Sequence, residues 1–68
     1  MSEEDLKARV LSALDTRGLT FEELALKLSW TGDRRPLRRA LAELVRDGRV
    51  LRVPDYERRR MVFALRSQ

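Results

Sequence analysis

At 68 residues the chain is one small domain, close to the size at which a single apolar core only just outweighs the entropy of ordering the chain. It has no cysteine and no histidine, which removes disulfides, the usual zinc ligands, a thiol nucleophile and an ordinary general base near neutrality, so neither an enzyme nor a metal or other cofactor is expected. The net charge of +4 is unevenly divided: residues 1–33 carry four basic side chains against seven acidic ones, whereas residues 34–68 carry eleven arginines against four carboxylates.

Ser2 followed by Glu3, Glu4 and Asp5 has the form of an N-cap with carboxylates in the first turn, where they offset the helix dipole. Leu6, Val10, Ala13 and Leu14 then line one face, which predicts a first helix over about 3–16, stopped by Gly18. Thr20 and Glu23 have capping-box spacing, and Phe21, Leu24, Ala25 and Leu28 supply the buried face of a short second helix over about 21–28. The stretch "SWTGD" ends it, with Gly32 as the flexible point. A third helix over about 34–47 starts at Asp33 or Arg35, tolerates Pro36 in its first turn, and stops at Gly48. Its core stripe is Leu37, Ala40, Leu41, Leu44 and Val45, leaving Arg34, Arg35, Arg38, Arg39 and Ala42 on the opposite side.

Beyond Gly48 the pattern becomes strand-like. "RVLRV" and "MVFAL" predict strands over about 49–53 and 60–66, joined through a turn favoured by Pro54 and Asp55. Val50, Phe63 and Leu65 are expected to face inward and Val62 and Ala64 outward, with Arg58, Arg59 and Arg60 protruding at the tip. The whole is a small α+β domain spanning 1–68. Its acidic start and short apolar runs predict neither a signal peptide nor a membrane span, hence a cytoplasmic protein.

The run "LTFEELALKL…LRRALAELVRDGRVLRV…MVFAL" resembles the winged helix-turn-helix family, in which two helices joined by a turn are followed by a β-hairpin wing. The resemblance covers about residues 3–66. It implies binding to double-stranded DNA in transcription regulation or as a nucleoid-type binder, the third helix entering the major groove and the wing lying on the backbone or a minor groove. Carried over, the recognition positions are Arg34, Arg35, Arg38, Arg39 and Ala42, and the wing positions are Tyr56, Arg58, Arg59 and Arg60. One departure is the turn "SWTGDRRP", about two residues longer than the family commonly uses.

Arginine suits such a surface, because its guanidinium fork matches phosphate and guanine edges. Four cations at a helix N-terminus also oppose the dipole and repel one another, which makes poor sense for stability alone. The competing reading is a solvated face paired with Asp33 or Glu43. Arg58, Arg59 and Arg60 have their own alternative as guards against edge-to-edge strand pairing. Trp30 either packs between the second and third helices or offers its indole N–H to a phosphate, and Tyr56 divides between a phosphate contact and turn packing. Arg46, Arg49 and Arg52 are flank contacts or solvated. Two other functions fit the same surface: a protein-assembly module with an acidic partner, and a binder of structured RNA. If Leu26, Val62 and Ala64 form a patch, a homodimer would set two recognition helices about 34 Å apart.

Overall fold

Local chemistry starts each helix in the computed structural model, which describes residues 2–66. Ser2 accepts the Asp5 amide at 3.2 Å and opens α1 (Glu3–Ala13). Thr20 and Glu23 exchange hydrogen bonds of 3.2 and 3.0 Å, the expected capping box, and open α2 (Phe21–Lys27). The third helix, α3 (Arg35–Arg46), has Arg34 rather than Asp33 or Arg35 at its N-cap, with no side-chain cap bond from Arg34 itself. Asp33 still serves that end from one residue upstream, its Oδ1 accepting the Arg35 amide at 3.0 Å.

Helix ends depart more from expectation. The first helix stops at Ala13, not near 16, because Leu14 is already extended and Asp15 Oδ1 accepts the amides of Arg17 and Gly18 at 2.9 and 3.0 Å. That carboxylate turn, rather than Gly18, ends the helix. The second helix is closed by Ser29, at φ 54°, and not by Gly32. The Ser29 amide donates to the Leu26 carbonyl and the Trp30 amide to the Ala25 carbonyl, the paired bonds of a Schellman motif with a non-glycine residue at its left-handed position. Gly48 closes α3 with the same pair, Gly48 to Val45 and Arg49 to Leu44, as expected.

The hairpin comprises β1 (Val50–Asp55) and β2 (Arg60–Leu65), antiparallel, with Val50 opposite Leu65 and Asp55 opposite Arg60. Pro54 and Asp55 end β1 instead of forming the turn; the loop is 56–59, with Asp55 Oδ1 accepting the Glu57 and Arg58 amides and Arg59 left-handed at φ 56°. The chain is thus a small α+β fold of three helices and a two-stranded hairpin. Among the described residues no helix is long and apolar enough to cross a membrane.

A further pairing governs the arrangement. Leu19, between α1 and α2, exchanges both backbone hydrogen bonds with Phe63 at 2.8 and 2.7 Å, and the Leu65 amide donates to the Asp15 carbonyl. The segment before α2 therefore lies along the other side of β2. Since the Phe63 and Leu65 amides point that way, their partners Arg52 and Val50 direct their own amides to the free side of β1. Pro54, two residues on, occupies the same kind of position, where its missing N–H costs no ladder bond and blunts the open edge.

Leu37, Leu41 and Leu44 of α3 are completely or almost completely buried against Leu6 and Val10 of α1, Leu24 of α2 and Val50 of β1. Phe63 and Leu65 pack partly against this cluster, as the alternation implied. Val62 and Ala64, expected to face solvent, are only 4% and 5% exposed. They lie on the middle of three adjacent segments, with Val53 and Leu51 opposite them on one side and Gly18 against Val62 on the other. With both buried, they form no exposed patch with Leu26, which is 76% exposed.

Gly18 is held by that contact. At φ 94° an added Cβ would stand 2.9 Å from Val62 Cγ2 and 3.3 Å from the Phe63 carbonyl oxygen, whereas at Gly32, φ 83°, it would meet nothing within 4 Å. Gly18→Ala should therefore cost about 2 kcal/mol or more and lower Tm by roughly 8 to 16 °C. Gly32→Ala, carrying the backbone strain alone, should cost clearly less. Equal losses in thermal denaturation would remove the packing of the 15–19 segment on β2 from the account.

Candidate functional site

The arginines of α3 divide according to what faces them. Arg34 is ion-paired with Glu22 in the first turn of α2 and lies 5.9 Å from the centre of the Phe21 ring. Arg35 meets Asp33 through Nε and Nη2, each 2.8 Å from Oδ2. Arg38 stacks over Phe21 at 4.7 Å, a cation–π contact that holds the guanidinium without neutralising it. Arg39 is exposed and has no partner among the described residues. Glu43, the other carboxylate considered for this face, is instead 3.3 Å from Lys7 of α1.

The hairpin arginines divide likewise. Arg58 is exposed in the hairpin loop, as expected, but its guanidinium is held: Nη1 donates to both oxygens of Glu23 at 3.1 and 3.0 Å, and Nε is 3.7 Å from Asp55. Arg58 and Arg59 both belong to the four-residue loop, whereas Arg60 is the first residue of β2. Arg59 and Arg60 are exposed without a carboxylate partner among the described residues. Together with Tyr56, 85% exposed, they border a shallow hollow that ends at Met61.

Met61 also borders a second hollow, an open groove of about 410 Å³ between α3 and the hairpin. Arg38 and Ala42 stand on its helix side and Arg52 on its strand side. Met61 is the residue the two hollows share, with Arg38, Ala42 and Arg52 around one and Arg59, Arg60 and Tyr56 around the other. Arg35 and Arg39 lie around the helix from it, beside Ser2, Glu3 and Trp30. Ala42 follows Arg38 by four positions and precedes Arg46 by four, so a small side chain sits between two cations on the open face.

Trp30 is half-buried and packs against the core, and its indole N–H is already given to the Asp33 carbonyl at 2.9 Å. The nitrogen expected to be free for a phosphate therefore closes the turn between α2 and α3. Two participants escaped sequence reasoning. Phe21 was assigned to the buried face yet carries Arg38 on its ring, and Arg52 was set aside as a flank although its spacing of two from Val50 places it on the inner sheet face. Glu22 and Glu23, read only as first-turn residues, also hold arginines from two other elements.

These contacts depress several carboxyl groups below their ordinary values. The Gly18 amide does so for Asp15, the Arg34 guanidinium for Glu22, the Thr20 amide followed by Arg58 for Glu23, and the Arg35 guanidinium for Asp33. Comparison with protein-family models, with curated proteins and with solved structures finds no match for this chain.

The carboxylates set the acid limit of the fold. Because their folded values lie below the unfolded ones, the stability they contribute is complete above the ordinary carboxylate range of about 3.9 to 4.3 and is lost as pH falls through the lowered values. With no histidine present, no side chain of ordinary pKa titrates between about pH 5 and 8. Tm should be level across that interval and fall below about pH 4. A Tm unchanged down to about pH 3 would mean that the arginine–carboxylate contacts contribute nothing.

Proposed function

We propose that this chain is a winged helix-turn-helix protein that binds double-stranded DNA, with α3 in the major groove and the hairpin on the phosphate backbone. The observation that carries the reading is the set of arginines left without a carboxylate on α3 and the hairpin, among the described residues. Arg38 and Arg52 flank the groove between α3 and β1, Arg59 and Arg60 lie at the hairpin tip, and Arg39 adds a fifth guanidinium farther around α3. None of them has a carboxylate partner among the described residues, whereas Arg34, Arg35 and Arg58 do.

Unpaired cations grouped on adjoining elements repel one another and contribute little to stability, but they match a ligand that carries regularly spaced anions. Arg38, Arg39 and Ala42 supply side chains suited to base edges, arginine to a guanine and alanine to a thymine methyl. Arg59, left-handed at the end of the loop, suits a phosphate contact, which fixes position without reading sequence. The element order, with the third β segment beside the hairpin, supports the family likeness on which this reading also draws.

With about four to six phosphates neutralised, log K should fall with log salt at a slope of roughly −4 to −5 in a titration of labelled random duplex. Arg59→Ala should weaken all duplexes alike and reduce the slope by about one unit. On a site selected from a random library, Arg38→Ala or Arg39→Ala should cost about 1 to 3 kcal/mol and blunt the preference. No binding at low salt, or a flat salt profile, would reject DNA and favour a protein partner. Tighter binding to an RNA hairpin than to a duplex of equal length would reassign the surface to RNA.

A further inference from the structure

We propose that the groove between α3 and the hairpin receives an unpaired nucleobase, so that the DNA held most tightly is a duplex bearing a single-stranded overhang. The proposal rests on the nucleic-acid reading above and concerns the apolar part of the groove, to which a fully paired duplex offers little. A paired duplex offers phosphates, sugars and base edges, and its only exposed apolar group in the major groove is the thymine methyl. The groove offers something else.

Its floor and walls include Phe21, Val45, Met61 and Phe63, and no carboxylate lines it. Arg38 and Arg52 stand on opposite sides. Arg38 is already stacked 4.7 Å from the Phe21 ring centre, and Arg52 lies directly across the hairpin from Phe63. Met61 is 43% exposed, an apolar side chain open to solvent beside the groove. At about 410 Å³ the space falls within the range of pockets that hold small ligands.

Planar apolar surface between two free guanidinium groups complements a flat ring attached to a phosphate at each end. Unpaired bases are held elsewhere by this chemistry, stacking on aromatic rings or guanidinium planes while cations track the backbone. The polarisable thioether of Met61 adapts to a ring edge or face. Phosphates leaving the groove toward the hairpin tip would meet Arg60 and Arg59, which border the adjoining hollow beyond Met61.

The test compares one blunt duplex with the same duplex extended by a thymine overhang of about four nucleotides, the lower end of single-strand site sizes. The overhang should tighten binding by roughly five-fold or more, and an abasic overhang of equal length should return it to the blunt-duplex level. Met61→Ala, checked for an unchanged fold by circular dichroism, should remove most of the overhang gain and leave blunt-duplex affinity as it was. Equal and tight binding of blunt and extended duplexes would overturn the groove proposal and leave the duplex reading standing. A gain that survives in the abasic overhang would overturn it too, since phosphates alone would then suffice. Failure to bind either duplex at low salt would remove the DNA reading and the groove's occupant with it. Preferential binding of an amphipathic acidic peptide, lost in Met61→Ala, would give the groove to a protein partner.

Discussion

The two hydrogen bonds between Leu19 and Phe63 fix the hairpin to the rest of the molecule, and most of the functional geometry follows from them. A two-stranded hairpin alone is marginal in water. With the 15–19 segment on its far side, β2 becomes the middle of three adjacent segments, and its outer face closes over Val62 and Ala64. The inner face is then held toward α3, where Val50 enters the core and Arg52 comes to stand across a groove from Arg38. Gly18 is required at the closest approach because a side chain there would strike Val62.

Charge is organised by the same arrangement. The first turn of α2 lies between the start of α3 and the hairpin loop, and its two glutamates each hold an arginine from one of them. Glu23 acts twice, since the carboxylate that caps its own helix also binds Arg58. Exposed ion pairs of this kind are weak and screened by salt. The arginines of α3 and the hairpin are accordingly less openly positive than their count suggests, with Arg38, Arg39, Arg52, Arg59 and Arg60 left without a carboxylate among the described residues.

What was legible in the sequence was local. Ser2, the Thr20–Glu23 box and Gly48 announce their roles through spacings of a few residues, and the stripe from Leu37 to Leu44 follows from helical periodicity alone. Gly18 and Gly32 misled because glycine is the common left-handed residue, whereas Asp15 and Ser29 do that work with a carboxylate turn and a left-handed serine. Val62 and Ala64 were assigned outward because period two identifies two faces but not what covers either. The pairing of Arg58 was not legible because its partner Glu23 lies far away in sequence and was accounted for by its cap. The arginine cluster was visible as composition; its division into held and open arginines required the tertiary fold.

Native-state amide hydrogen exchange tests directly whether the hairpin is built into the core. Protection of an amide measures the free energy of the opening that exposes it. The amides of Leu19, Phe63 and Leu65 should exchange as slowly as those of Leu41 and Leu44 in α3, all opening only with global unfolding. If Leu19, Phe63 and Leu65 instead exchange like the exposed loop at 56–59 while α3 stays protected, the hairpin is a loosely tethered arm, and the groove described between it and α3 does not persist in solution.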